Sequence, residues 1–487
     1  MSMQIELDFE AADKGADKAS CESVRADHRR SARACSQRKT KAKNEQAKTA
    51  TLEEVIEALE AAFEAVRANK GAPGPDRQGI EQVREHWSEI KPQLAQSLLQ
   101  GSYRAGDIRR VWIPKAGGGQ RGLGIPNVVD RVVQEAVRQV LEPVYEPTFH
   151  PSSHGFRAQR SCHTAIAQAK EHLQAGYGWV VDLDLENFFN RVNHQRLMSR
   201  LAQRVQDKRL LELIGGMLKA KVVLPDGVKV SNDEGVPQGG PLSPLLSNVV
   251  LDELDWKLQE RGHRFVRYAD DANIYVKSPR AGQRVMASVK AFIERRLRLK
   301  VNADKSAVAQ PQDRHFLGFS LKREPKDEQV QVHLSERSKE RIDGKIRELT
   351  PRNGGRSLKA VIDQINAYTT GWMGFFGICT PQVEVVLRRL DAHIRRRLRA
   401  MELKQCKRKR TIVKKLIQRG IRAKTAWRQV YEGRKSIWAL SHTWAVDRAL
   451  TNSLWEDRGL KSLTQRYGQH PARRVARGAV QHELVFG

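Results

Sequence analysis

A chain of 487 residues, 40% hydrophobic and 29% charged, is too long for one compact core and has the composition of a globular protein. It carries 86 Lys and Arg against 56 Asp and Glu, a formal net charge of +30. This excess indicates a large polyanionic partner, and it favours nucleic acid over an anionic membrane surface.

Membrane insertion and metal binding through cysteine are both disfavoured by the sequence. No apolar run approaches the roughly 20 residues that span a bilayer, and the acidic start shows no signal peptide. The five cysteines are scattered and form no C-x-x-C pair, which argues against a zinc ribbon and favours a reducing compartment. We therefore expect a cytoplasmic protein with no membrane partner.

The first ordered element is predicted to follow a tail. Residues 1–50 are rich in Ala, Lys and Arg without apolar periodicity, so we predict a basic, mobile N-terminal tail. Thr51 and Glu54 then form a capping-box pattern, and apolar residues keep helical spacing until Gly71.

The next region predicts a strand, a glycine turn, a second strand and a helix. The segment runs from "IRRVWIPKAGGGQRGLGIP" into a valine-striped helix after a capping Asn127. Gly117, Gly119 and Gly122 match G-x-G-x-x-G by chance. A short strand and Pro126 follow where a dinucleotide-binding helix should begin, so we reject that interpretation.

The carboxylates of the middle region point to catalysis. Asp270 and Asp271 lie between two strand-like segments in "RFVRYADDANIYV", and Asp184 follows another strand-like run, "WVVDLDL". One explanation is that Asp270 and Asp271 are ordinary turn residues. The other is that Asp184, or Asp182 two residues earlier, joins them to bind two Mg²⁺ ions, because like charges in a half-buried hairpin need a cation.

After about residue 335 the strand patterns disappear and basic helices dominate. From Arg388 to Arg428 there are 17 Lys and Arg but only 2 Asp and Glu. Amphipathic helices with solvated faces would explain part of this pattern. So dense a charge still needs a counterion, and an RNA backbone with nearby tryptophans as stacking surfaces would supply one.

These motifs together resemble the reverse transcriptase/maturase encoded by bacterial group II introns. "YADD", "DLENFF" and "PQGGPLSPLLSNVVLDELD" are similar to its palm, and "RANKGAPGPDRQGIE" and "EPTFHPSSHGFRAQRSCHTAI" to its fingers. "INAYTTGWMGFFGI" and the basic helices are similar to its maturase domain, also called X or thumb. The resemblance implies an α+β right-hand fingers and palm fold with an all-α thumb/maturase domain.

The resemblance also assigns roles to individual residues. It implies that Asp184, Asp270 and Asp271 are catalytic and bind two Mg²⁺ ions. For the incoming dNTP it implies a steric gate at Phe189, triphosphate contacts at Lys115 and Arg121, a pocket residue at Gln238 and a nearby palm lysine at Lys305. For RNA binding it implies the maturase cations Arg388, Arg395, Arg396, Lys404, Lys407, Arg408, Arg410 and Lys414.

Three positions depart from the family pattern. Asn190 replaces an Asp after the aromatic pair, and Gly122 stands where Pro is usual. Cys406 stands where Trp is usual, which removes an aromatic side chain from the maturase region. Many relatives carry a Cys-rich H-N-H endonuclease, and because no cysteine follows Cys406 we expect that domain to be missing here.

We therefore predict an RNA-directed DNA polymerase that binds its group II intron RNA and assists splicing and retromobility, with an RNA template, a DNA primer or target and dNTPs as further partners. The alternatives are a non-enzymatic splicing factor with a decayed polymerase, or a domesticated reverse transcriptase in phage defence. The predicted domains are the tail 1–50, fingers and palm 51–330, thumb/maturase 335–455 and a short tail 456–487. The oligomeric state stays open, with a dimer as one option.

Overall fold

The structure is a computed structural model that describes residues 50–114, 118–324, 329–351 and 355–471. The predicted tail 1–50 lies outside the described residues except for Ala50, and the final segment is described only to residue 471. Within the described ranges, none of the helices has the length and apolar character required to cross a membrane. The chain forms a mixed α/β fold with two compact units.

The first unit comprises Met1–Phe149 and Phe189–Val250. Its four-stranded sheet has the order β2-β1-β4-β5, in which β1 and β2 form an antiparallel hairpin and β4 runs parallel to β1. The strands are β1 (Ile108–Pro114), β2 (Gln120–Ile125), β4 (Val222–Val223) and β5 (Lys229–Val230). The helices are α1 (Leu52–Glu57), α2 (Leu59–Ala68), α3 (Ile80–Glu85), α4 (Trp87–Leu99), α5 (Val128–Tyr145), α7 (His194–Leu201) and α8 (Lys208–Leu218).

The second unit comprises His150–Phe188 and Leu251–Gly487 and contains the carboxylates. Its main sheet has the order β6-β7-β3-β8, and β9 pairs with β10 in a separate ribbon. The strands are β3 (Trp179–Leu183), β6 (Arg264–Tyr268), β7 (Asp271–Val276), β8 (Ala307–Ala309), β9 (Phe319–Arg323) and β10 (Val330–Leu334). Three helices accompany them in the chain: α6 (Cys162–Gln174), α9 (Ser243–Glu260), which begins in the first unit, and α10 (Pro279–Phe292).

In the described residues from 336 to 471 the regular secondary structure is helical, as the sequence predicted. Its helices are α11 (Glu336–Leu349), α12 (Leu358–Phe376), α13 (Val383–Gln405), α14 (Lys409–Gln418), α15 (Ala423–Tyr431), α16 (Ile437–Leu440), α17 (Trp444–Ala449), α18 (Asn452–Asp457) and α19 (Leu463–Gln469). One continuous apolar core extends from Val180 in β3 to Tyr467 in α19. The main sheet and the C-terminal helices therefore share their hydrophobic burial.

Local sequence signals explain most helix starts, with two corrections. Thr51 and Glu54 form the predicted capping box at α1. Asn127 does not cap α5; its side-chain oxygen instead accepts a hydrogen bond from the backbone of Asp76 at 3.3 Å. The predicted helix after β3 is also delayed: Phe188–Asn190 is a 3₁₀ turn, and α7 starts only after Asn193, whose side chain accepts from the Arg196 N–H at 2.9 Å.

A buried carboxylate ties three C-terminal helices together. Glu402 on α13 is 1% exposed and accepts from Lys415 at 2.8 Å, Arg419 at 3.1 Å and Arg458 at 2.7 Å. Burial alone would raise its pKa, but the hydrogen bonds from Arg458 and Lys415 outweigh it and hold the pKa below the ordinary value. Four charged groups thus form one closed network inside the helical part.

Replacing Glu402→Ala should lower the free energy of unfolding by about 3 kcal/mol, because it leaves the facing cations without a buried partner. Glu384→Gln is the matched control, since its pair with Arg388 lies on the surface of the same helix, and it should change stability by less than about 1 kcal/mol. Urea unfolding of both variants measures the difference, and equal effects would contradict the assigned role of the network.

Candidate active site

The register of β3 against β7 brings the predicted carboxylates together. Leu183 at the end of β3 pairs with Ala272 of β7. One further step along this antiparallel register places Asp184 opposite Asp271, the first residue of β7. Asp270 precedes it in the turn from β6 to β7. All three carboxylates therefore lie at one end of the same pair of strands.

The backbone of Asp184 is fixed by a neighbouring loop. Its carbonyl accepts from the Asn302 N–H at 2.8 Å, and its own N–H donates to the Ser306 hydroxyl at 3.0 Å. Leu185 bridges to Val301 just beyond it. The strand direction is thus held past the last regular residue of β3.

Asp182 and Asp184 occupy the same face of β3 but have different partners. The carboxylate of Asp182 is paired with the Arg314 guanidinium at 2.6 Å. Burial raises the pKa of Asp182, and the Arg314 hydrogen bond counteracts that rise. Asp184 faces the Lys305 ammonium, which lies 3.6 Å from its Oδ2, and that lysine side chain is 66% exposed. Of the two, Asp184 is the one with a weakly held partner.

The turn that carries Asp270 does not use aspartate for its backbone angles. The left-handed residue is Ala269, with a φ of 57°, whereas neither aspartate has a positive φ. An L-residue in that conformation costs about 1 kcal/mol. The explanation that Asp270 and Asp271 are simply favoured turn residues therefore fails on backbone grounds.

A buried ion pair holds this turn in place through a hydrogen bond to its backbone. Arg267 of β6 is 1% exposed and binds the equally buried Asp255 of α9 at 2.6 Å. The same guanidinium donates to the carbonyl of Ala269 at 2.8 Å and to the Ser153 hydroxyl at 2.7 Å. Gly155 lies so close to the turn that a Cβ there would overlap the backbone nitrogen of Ala269. The strained turn is consequently held on two sides.

Asp271 carries the electrostatic cost of this arrangement. The residue reaches solvent at the start of β7, but protein surrounds the rest of its carboxyl. That burial comes first, followed by the charges of Asp270, Asp184 and Asp182, and together they raise its pKa to about 7, while Lys305 acts in the opposite direction. Ionising Asp271 is therefore opposed both by burial and by the neighbouring carboxylates.

These residues fit magnesium by chemistry, although they do not form a closed cage. Among the described residues, no group of three or more His, Cys, Asp or Glu side chains is gathered to hold a metal ion. Mg²⁺ is usually held by one or two carboxylates together with substrate phosphates, so an all-protein cage is not required. Hard oxygen donors, and the mutual repulsion of the carboxylates around Asp271, suit a divalent cation.

Of the described residues predicted for nucleotide binding, Arg121, Phe189 and Gln238 lie in the first unit, whereas Lys305 lies in the second. Arg121 pairs with Ile113 in the β1–β2 hairpin, while Lys115, nearer the tip, lies outside the described residues. The carbonyl of Gln238 accepts from the Gly124 N–H of β2 at 2.6 Å, so the "PQGG" loop lies against that hairpin. Phe188 is 2% exposed, whereas Phe189 is half-buried. Of these two neighbouring rings, Phe188 therefore belongs to the hydrophobic core.

The hairpin also accounts for one departure from the family pattern. A Cβ at position 122 would meet the Arg110 guanidinium at 2.7 Å and the Trp112 ring at 3.1 Å. Arg110 donates to the Gly122 carbonyl at 3.1 Å. Gly122 thus leaves room for an arginine that crosses the hairpin.

The predicted RNA-binding cations differ in accessibility. Arg388, Lys404, Lys407, Arg408, Arg410 and Lys414 are exposed, while Arg395 and Arg396 are half-buried. Cys406 is 9% exposed, and its thiol donates to the Glu402 carbonyl at 3.4 Å. The substitution at position 406 therefore changes core packing and does not remove an exposed stacking surface.

Sequence reasoning missed the residues that position the site. An arginine in the middle of the apolar strand "RFVRY" was a usable signal for Arg267, since an unpaired charge is rarely buried. Asp255 and Ser153 gave no such signal because they are distant in sequence and unremarkable in type. The role of Arg314 likewise follows only from its contacts. Its guanidinium pairs with Asp182 and donates to the Lys305 carbonyl at 2.5 Å.

The fold and sequence together define the class of this protein. Residues 113–321 match the family model "Reverse transcriptase (RNA-dependent DNA polymerase)". Residues 339–420 match "Group II intron, maturase-specific domain". The two matches cover, in order, most of the main sheet and the first basic helices.

Similar curated proteins agree with this class. The chain is 30% identical over 302 residues to protein YkfC of Escherichia coli. The aligned region covers 53% of this chain and 79% of YkfC. It is 30% identical to the group II intron-encoded protein LtrA of Lactococcus lactis, over 54% of each chain. It is 27% identical to a putative COX1/OXI3 intron 2 protein of Saccharomyces cerevisiae, over 48% of this chain and 34% of that one. The chain belongs to the group II intron reverse transcriptase/maturase family.

The raised pKa of Asp271 predicts a pH-dependent stability in metal-free protein. Because the folded pKa of about 7 exceeds the unfolded value of 3.8, the carboxyl contributes stability at low pH that is lost as the pH rises towards 7. With EDTA, the melting temperature of Asp271→Asn relative to wild type should therefore increase between pH 5 and pH 8. Adding Mg²⁺ at pH 8 should stabilise the wild type more than the variant. If the melting temperatures of the two proteins changed in parallel with pH, the raised pKa of Asp271 would be refuted.

The contact between Gly155 and the turn predicts a selective loss of activity. Gly155→Ala should push Ala269 and the following carboxylates out of place and slow deoxynucleotide incorporation at least about tenfold. Gly178→Ala in the same unit is the control, since a Cβ there meets nothing within 4 Å. Single-turnover extension at saturating dNTP measures both, and wild-type rates for Gly155→Ala would contradict the predicted support.

Proposed function

We propose that this protein is an RNA-directed DNA polymerase that also binds a group II intron RNA, assists its splicing and supports its retromobility. The observation that carries the proposal is the juxtaposition of Asp184, Asp270 and Asp271 at one end of β3 and β7, where burial and the neighbouring carboxylates raise the pKa of Asp271. The intron partner follows from family membership and from the basic helices of the second unit.

The proposed reaction assigns a task to each part of the site. Asp184 and Asp270 would hold two Mg²⁺ ions with Asp271, and these ions lower the pKa of a primer 3′-hydroxyl and stabilise the leaving pyrophosphate. Arg267 and Asp255 keep the turn before Asp270 in place. Arg314 occupies Asp182 and thereby leaves Asp184 as the strand carboxylate that can bind an ion.

The remaining partners are proposed on charge and family membership. The Arg121 side chain, with Lys115, would bind the triphosphate of a dNTP, because guanidinium and ammonium groups offset its negative charge. Phe189 would exclude a ribose 2′-hydroxyl, and Gln238 would line the nucleotide pocket. Exposed cations of α13 and α14 would bind RNA phosphates, and the number bound sets the salt dependence of that affinity.

Primer extension on poly(rA)/oligo(dT) with dTTP and Mg²⁺ tests the proposal. The wild-type chain should extend the primer, and Asp184→Asn or Asp270→Asn should reduce the rate at least about a hundredfold, because each removes a carboxylate from the reacting phosphates. Asp304→Asn is the matched control in the turn beside Asp184, and it should extend at the wild-type rate.

The result also separates the proposal from a splicing factor without polymerase activity. Binding of a labelled group II intron RNA should be unchanged in the Asp184→Asn variant, since the exposed cations of α13 and α14 are intact. A wild-type chain that binds this RNA but makes no extension product would overturn the polymerase and leave the splicing factor in its place.

A further inference from the structure

Helix α15 presents aromatic rings that the core does not use. Ala426 and Val430 are buried, and they form the face of α15 that packs against α14. Trp427 and Tyr431 follow them at the same helical spacing, yet each is 44% exposed. Two large rings are therefore left at the surface although the helix is already anchored.

These rings form an ordered patch with cations beside them. Trp427 and Tyr431 stack with centroids 5.3 Å apart and an interplanar angle of 22°. The Lys409 ammonium stands 5.4 Å from the Tyr431 ring, and the Arg448 guanidinium 5.5 Å from the ring of Trp444, which is 57% exposed. Helices α15 and α17 are joined where the Gln429 side chain accepts from the Ala445 N–H at 2.9 Å. We call Trp427 and Tyr431 the aromatic patch.

Other tryptophans of the same region are used differently. Trp455 is fully buried, and Trp438 is covered by the Arg396 guanidinium, which lies 4.1 Å from its ring. Single exposed apolar side chains are common on soluble proteins, and one such ring would need no explanation. Two exposed rings that stack on each other, with an ammonium group beside one of them, are a different case.

We propose that the aromatic patch is a stacking site for unpaired bases of single-stranded RNA. Aromatic rings bind any base through its π face, and the nearby cations suit the phosphates that connect successive bases. The patch lies beyond residue 420, where the match to the maturase family model ends. It therefore adds a base-binding surface to the phosphate-binding cations already described.

Continuity with α14 assigns the occupant as RNA. Lys409 lies beside the Tyr431 ring of the patch and belongs to α14, the helix that carries the exposed Arg410 and Lys414. An RNA strand whose backbone follows these cations would bring its unpaired bases to the rings. This inference rests on the proposed RNA binding of α13 and α14, and it specifies that unpaired nucleotides are bound as well as backbone.

The test compares a base-containing ligand with one that has only the backbone. The probes are a fluorescein-labelled RNA 12-mer of adenosine and an abasic ribose-phosphate 12-mer, bound to the full-length chain. The wild type should prefer the adenosine 12-mer. The double variant Trp427→Ala/Tyr431→Ala should bind it at least about tenfold more weakly and bind the abasic 12-mer as before, because only base stacking is lost.

Two further variants separate stacking from folding and from charge. Trp427→Phe/Tyr431→Phe keeps both rings and should retain most of the preference for bases. Arg428→Ala, an exposed position between the two rings in sequence, should weaken both 12-mers equally through the loss of one charge. Thermal unfolding of each variant shows whether the helices are intact.

The possible outcomes are distinct from failure of the proposed polymerase. If the double variant binds the adenosine 12-mer as tightly as the wild type does, the stacking site is wrong even where primer extension succeeds. A loss of affinity for a DNA 12-mer of deoxyadenosine without a loss for RNA would also overturn the proposal. Failure of the wild type to extend a primer, with base-dependent RNA binding intact, would refute only the polymerase.

Discussion

Repulsion among carboxylates is the constraint around which the second unit is built. Asp184, Asp270 and Asp271 meet at one end of β3 and β7, and burial together with the charges of the neighbouring carboxylates raises the pKa of Asp271 to about 7. Such an arrangement persists only if the backbone cannot relax away from it. The loop at Asn302 and Ser306 holds one strand, and the turn at Ala269 is held separately.

The buried pair of Arg267 and Asp255 fits this constraint better than it fits a general role in stability. Removing two charges from water costs nearly as much as their attraction returns, so such pairs are weak contributors to folding. A guanidinium is nevertheless a rigid fork that fixes several acceptors at once. Here it joins a helix carboxylate, a loop hydroxyl and the carbonyl of the left-handed residue. Its geometric effect is to define where the next residue, Asp270, begins.

The sequence predicted the strands and the turn of this site, but it did not predict which strand carboxylate is left for the site or which residues hold the turn in place. The strand pattern of "WVVDLDL" placed Asp182 and Asp184 on one face but left both open from spacing alone, because only the contact with Arg314 distinguishes them. The turn itself was recognised, yet its left-handed residue is Ala269, since tertiary contacts overrode the local preference for Asp. Asp255 was beyond reach, because a helix carboxylate becomes significant only when a distant arginine is packed against it.

The structure also shows which cations of the basic C-terminal segment are available to bind a partner. The basic segment after residue 388 suggests a uniform surface for RNA, but several of its cations have internal tasks. Arg397 donates to the Thr350 hydroxyl at 2.6 Å, Arg399 pairs with Asp447, and Lys415 and Arg419 face Glu402. The cations that are free to bind phosphate form a smaller set than the sequence count, and this set is concentrated at the end of α13 and along α14.

The apolar core that the main sheet shares with the C-terminal helices helps to decide whether the three carboxylates could belong to a protein without polymerase activity. Val180 and Tyr275 belong to the apolar core that continues into the C-terminal helices, so the main sheet is needed for those helices to fold. The three carboxylates are not part of that core, and the ionised Asp271 opposes folding at neutral pH. A protein that used only its C-terminal helices would need the sheet but not these carboxylates. A side chain such as Asp271, which costs stability and adds no packing, is best explained by the proposed chemistry.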